Sequence, residues 1–323
     1  MYWYRKAKMN MEQWNRQGTP ATPPESYGKR VWHIWGPIVI KWVIGIGVSS
    51  IAMGVLTMMY VMADQDAAMT AMQSEDQMME LYGRIMEKYV SFAAMIEAVG
   101  AVITIPIMWY FFHKDRVKER QMGMIPNKKA PVWKYGAGIL MAAALSLGLN
   151  NLIIIGNLSA VSEAYESTME ALYSAPILVQ VISLAVLVPI SEELVFRGLL
   201  FKRLREKGTY IQAAMYSAVV FGLLHGNLVQ MLYGFILGMM LSYLCEKYGS
   251  VKAPIAAHIA MNLLSVAATE FKLADWMMES KMRIGVITIV CAFIASTMFV
   301  FVQRIEEKPD VPGTSEENEG VVA

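Results

Sequence analysis

Apolar runs of roughly twenty residues recur along this chain, close to the length at which a helix crosses about 30 Å of hydrocarbon. Within lipid the backbone must satisfy its own N–H and C=O groups, so each run is read as a helix. Hydrophobic residues make up 56% of the chain and charged residues 17%, with 27 methionines, too apolar a balance for an ordinary soluble domain. The expectation is an all-α, polytopic helical membrane protein of about eight transmembrane helices, at 41–63, 91–112, 135–156, 175–199, 210–225, 228–245, 254–271 and 284–302. The fifth and sixth are joined by little more than Gly226 and Asn227 and read as a tight helical hairpin. The first is too long, and too far from the start, for a removable signal peptide.

Charge placement gives an orientation. Lysine and arginine crowd the head (Arg5, Lys6, Lys8, Arg16, Lys29, Arg30), the second connection (Lys114 to Lys134) and the fourth (Lys202, Arg203, Arg205, Lys207). Basic connections stay in the cytoplasm, which puts both ends inside and the acid-rich 64–90 and 157–174 connections outside. A net charge of only +1 argues against nucleic acid as a partner, since phosphate binding needs a basic surface. Cys245 and Cys291 lie in or beside apolar runs without a CxxC pattern, so no disulfide is expected.

Charges inside the runs carry the functional signal. Glu192, Glu193 and Arg197 end the otherwise apolar fourth run, where each charge costs about 2.5–3.5 kcal/mol at mid-bilayer and usually marks function. Glu193 and Arg197 are spaced i,i+4 and share a helix face, so they can pair. Glu192 projects about 100° away and can address a different cavity, which makes it the candidate general base. The fifth run ends Phe221-x-x-x-His225 and the seventh holds His258-x-x-x-Asn262. His33 and His113 sit at run ends, where interfacial residues are ordinary, so both mid-run histidines belong to this set. Any one of these signals alone fits an interhelical packing contact; together they exceed what packing requires. Gly234 and Gly238 have a small-xxx-small spacing that permits close helix approach. Glu97 shows no partner set in the sequence and reads as a packing or interfacial acid.

The ordered trio Glu192-Glu193-x-x-x-Arg197, Phe221-x-x-x-His225 and His258-x-x-x-Asn262 resembles the CPBP (Abi) intramembrane proteases, which include the type II CAAX prenyl proteases. The resemblance covers about 175–271 and implies an endopeptidase acting on membrane-associated or prenylated peptides or proteins. It implies that Glu192 activates water, that His225 holds or helps activate it, and that His258 and Asn262 stabilise the oxyanion, while Glu193 and Arg197 shape the site. The family is often described as metalloproteases, and Glu192, His225 and His258 supply zinc-type donors, so zinc is an open alternative. Their wide spacing favours catalysis without a cofactor. A non-proteolytic immunity or scaffold protein, or a proton-coupled transporter, is the competing reading, although no inverted repeat accompanies the motifs. The layout expected is an interfacial cytoplasmic head at 1–34, an N-terminal transmembrane region at 35–174, the catalytic core at 175–271, a last transmembrane helix at 272–305 and an acidic disordered tail at 306–323. Its place would be a bacterial plasma membrane, with the lipid bilayer and a peptide or protein substrate as partners.

Overall fold

A computed structural model of the chain describes residues 26–71, 73–121, 129–158 and 162–305. Among these residues there are twelve helices and no strand, in chain order α1 (Tyr27–Ala63), α2 (Gln65–Ala71), α3 (Glu75–Ser91), α4 (Ala93–Gln121), α5 (Tyr135–Ile155), α6 (Glu163–Tyr173), α7 (Ile177–Arg205), α8 (Tyr210–Leu223), α9 (Leu228–Tyr248), α10 (Lys252–Glu270), α11 (Leu273–Met278) and α12 (Lys281–Gln303). Each expected apolar run falls on one of these helices, and the protein is an all-α integral membrane protein. The count of eight spans is not established, because among the described residues six helices combine the length and apolarity of a crossing: α1, α4, α5, α7, α9 and α12. Helix α8 has 14 residues, about 21 Å at 1.5 Å per residue, short of the hydrocarbon thickness. In α10, His258, Asn262 and the terminal Lys252 and Glu270 dilute the apolar character. The head residues Tyr2 to Arg16 and the acidic tail at 306–323 lie outside the described residues.

The chain divides into the units Met1–Gly36 and Pro37–Ala323. In the second, the buried side chains of Tyr135, Met141, Leu241, Leu244, Tyr248, Met261 and Val302 tie α5, α9, α10 and α12 into one core. The Tyr248 hydroxyl donates to the Lys134 carbonyl at 2.9 Å and accepts from the Gly138 amide at 3.2 Å, closing α9 onto the start of α5. Helix α7 packs against α4, α8 and α10, so the run that carries the glutamates lies among other helices.

Local chemistry fixes the α8–α9 hairpin. Thr209 and Gln212 form a reciprocal capping box that starts α8, and the Asn227 side chain accepts from the Gln230 amide to start α9. Gly226 takes φ +79° in the turn between them, a conformation that favours glycine. The expected close approach of Gly234 and Gly238 is present, against Gly222 and Ala218 respectively. Gly222 is tighter still, since a Cβ there would lie 2.5 Å from the Met231 carbonyl oxygen. Gly222→Ala should therefore force the two backbones apart and cost about 1–3 kcal/mol by overpacking. Gly54→Ala meets nothing within 4 Å and should leave the thermal midpoint unchanged or raised. Equal midpoints for the two variants would disprove the close crossing.

Candidate functional site

Helix α7 is not a uniform α-helix. Hydrogen bonding widens to an i→i+5 pattern over Val181–Leu187 and again over Leu194–Phe201, on either side of the α-helical turn Val188–Glu193. Such wide turns are concentrated at functional sites. Pro189 supplies a local cause for the first, because it has no N–H to offer the carbonyl of Ala185 in the α register or of Leu184 in the wider one. The Leu184 carbonyl instead accepts from Asn262 Nδ2 of α10 at 2.7 Å. One of the six expected site residues thus closes a gap in another helix's backbone bonding and aligns α10 with α7.

Glu193 and Arg197 form the pair that their spacing announces. Arg197 Nη1 donates to Glu193 Oε1 at 2.8 Å, with both side chains fully buried. Nη2 donates to the Gly238 carbonyl at 3.0 Å, and the guanidinium lies 4.6 Å from the centre of the Phe221 ring. Gly238 is needed here for a second reason, since a Cβ would sit 3.3 Å from Arg197 Nη2. The same Glu193 Oε1 also contacts His258 Nδ1 at 2.9 Å. An ionised carboxylate can only accept, so Nδ1 carries the proton and Nε2 is turned toward Glu192, 4.0 Å from its Oε2.

Glu192 is held more loosely than its neighbour. Besides His258 it faces Lys41 of α1, whose Nζ lies 3.9 Å from Oε1. His225 falls just beyond the end of α8, in the turn, where its Nδ1 donates to the Phe221 carbonyl at 2.7 Å and its ring packs edge-on against Phe221 at 4.8 Å. That bond leaves the proton-accepting role to Nε2, and the ring interacts electrostatically with Glu192 and with Glu97. Phe221 also packs edge-on against Phe196 and His258, at 5.0 and 6.0 Å, and so forms the apolar floor that joins the three motif helices.

The structure brings together Glu192, Glu193, Arg197, His225 and His258, with Asn262 one turn beyond, bonded to Leu184. It also adds Lys41, which the sequence did not single out, and Glu97, which the sequence left as a packing or interfacial acid. Lys41 and Glu97 line a small cavity of about 30 Å³ beside Ser191, with Gly45, Gly100 and Thr104 among its other walls. Glu97 therefore has the partner set that its sequence context lacked.

Both imidazoles turn Nδ1 to a protein acceptor and keep Nε2 for the site, an arrangement that metal-binding histidines share. Among the described residues, however, no three His, Cys, Asp or Glu side chains are gathered as a metal site, so the zinc alternative of Glu192, His225 and His258 has no support in this geometry.

Comparison with known proteins points to the same segment. Residues 174–264, which contain all six expected site residues, match the family model for type II CAAX prenyl endopeptidase Rce1-like proteins. A Bacillus subtilis (strain 168) protein named "Putative membrane peptidase YdiL" is 30% identical over 105 residues, 32% of this chain and 42% of that protein. The chain thus matches less than half the length of that relative. No solved structure matches the chain.

Proposed function

We propose that this chain, whose residues 174–264 belong to the type II CAAX prenyl endopeptidase family, is an intramembrane endopeptidase in which Glu192 activates water. The observation that carries the reading is the division between the two adjacent glutamates. Glu193 is fully buried with its Oε1 taken by both Arg197 and His258, while Glu192 has only charge contacts at 3.9 and 4.0 Å and is available to a water molecule. Glu192 takes a proton from water as the oxygen attacks the scissile carbonyl, and His225 Nε2 steadies that water. Protonated His258 donates from Nε2 to the developing oxyanion, with Glu193 holding its other nitrogen. Asn262 keeps a second amide N–H for the same oxygen. One such donor is typically worth about 2.7–4 kcal/mol in the transition state. The proton on Glu192 then passes to the departing amine as the C–N bond breaks.

The substrates in this reading are peptides or proteins at the membrane, prenylated chains among them. The test is purified full-length protein in liposomes with prenylated and unprenylated membrane peptides, and mass spectrometry for new termini. Cleavage that survives exhaustive chelation is expected. Loss of cleavage on chelation with return on adding zinc would replace the direct mechanism. No new terminus from any peptide would favour an immunity, scaffold or transport role.

The basic connections further support both termini in the cytoplasm, with the 64–90 connection, which carries α2 and α3, outside. A cysteine at Gln73 should react with an impermeant reagent in intact cells, and one at Lys128 should react only after lysis. The opposite pattern would invert the topology.

A further inference from the structure

Lys41 is the only charged residue between Arg30 and Asp64, and it lies within α1 among Ile38, Ile40, Trp42 and Val43. A lysine within an apolar helix calls for a partner, because a charge left uncompensated in hydrocarbon is costly, about 2.5–3.5 kcal/mol at mid-bilayer. Its Nζ lies 3.9 Å from Glu192 Oε1, and the two side chains are only 24% and 14% exposed. The other carboxylate oxygen faces His258 Nε2 at 4.0 Å. The base is therefore held from two sides, one oxygen toward α1 and one toward α10. Glu97, on α4, lines the same cavity and interacts electrostatically with Lys41, Glu192 and His225. Polar groups of Lys41, Glu97, Thr104 and Ser191 surround about 30 Å³ there, room for a buried water, which needs roughly 10–15 Å³ and several polar partners.

We propose that Lys41 is a positioning residue for Glu192, and that α1 and α4 complete the site with a Lys41–Glu97 cavity that stores water beside the base. Both residues lie outside the 174–264 segment that carries the family motifs. The proposal rests on the endopeptidase reading for its kinetic consequence, but its structural content can be measured without any turnover.

Lys41→Met keeps the length of the side chain and removes its charge, while Lys41→Arg keeps the charge. The Met variant should lose roughly 10- to 100-fold in kcat, the range for a misaligned reacting group, with KM unchanged. The Arg variant should recover most of that loss, a split that a merely structural lysine would not produce. Independently of activity, Lys41→Met should lower the thermal midpoint more in the wild-type background than in a Glu192→Gln background, as for any pair in contact. Should the Met variant fail to accumulate, Lys41→Gln carries the same comparisons. Wild-type kcat in the charge-removed variant, or thermal midpoints that simply add, would overturn the assignment. If the wild-type chain cleaves nothing, the endopeptidase reading fails and the midpoints alone decide whether Lys41 holds Glu192.

Discussion

Glu192→Gln is expected to yield a folded, membrane-inserted protein without peptide-bond cleavage. The substitution keeps the shape of the side chain and its capacity to hydrogen-bond, and removes only the basic carboxylate. A positioned general base contributes about 10²–10⁴-fold to rate, so turnover should fall by at least that range. Stability should change little, because Glu192 makes only two charge contacts near 4 Å and Lys41 retains Glu97 across the cavity. Protein yield and thermal midpoint close to wild type, alongside absent new termini in the liposome assay, would meet the expectation. An active Glu192→Gln protein would end the case for this base, whatever family model residues 174–264 match.

The parts of this site that were legible in the sequence are those that a single helix determines. Spacing of i,i+4 is enough to foresee that Glu193 and Arg197 share a face and pair, because 3.6 residues per turn fixes that relation before any packing occurs. The capping residues Thr209 and Asn227 sit where α8 and α9 begin for the same local reason. Contacts between helices were less accessible. That Glu193 also holds His258, 65 positions away, and that Lys41 reaches Glu192 from α1, depends on which faces pack together, and no periodicity reports that. Asn262 shows the same limit, since its partner is a carbonyl made available by Pro189 in another helix.

Apolarity alone ends the fourth run at 199, ahead of the basic stretch Lys202 to Lys207. Helix α7 continues to Arg205, which brings Glu192 to about 20 Å from its end and level with the α8–α9 turn. Arg203 and Lys202 are pinned there by Asp115 and Glu119 of α4, at 2.8 and 3.0 Å, so the basic stretch is helical rather than part of the connection.

Glu193→Gln should behave unlike its neighbour, with a loss of stability as well as of activity. Its Oε1 accepts from both Arg197 Nη1 and His258 Nδ1, in a place where Glu193 and Arg197 have no exposure at all. Neutralising the carboxylate leaves a buried guanidinium whose remaining partners are the Gly238 carbonyl and the face of Phe221. Breaking a buried pair from one side typically costs about 3–5 kcal/mol. The Phe221 contact and a surviving neutral hydrogen bond offset only part of that, since a desolvated cation–π contact is worth about 2 kcal/mol. Yield in membranes and the thermal midpoint should therefore both fall, and cleavage should be lost because a neutral amide removes the negative charge that Glu193 places beside His258 Nδ1. Removing both charges, as Glu193→Gln with Arg197→Met, separates the two effects. It deletes the uncompensated cation and should regain stability relative to Glu193→Gln alone, while cleavage stays absent because nothing restores the negative charge beside His258. A fully active Glu193→Gln protein with wild-type yield would refute the pairing, and a double variant less stable than the single would show that Arg197 stabilises the bundle by some route other than Glu193.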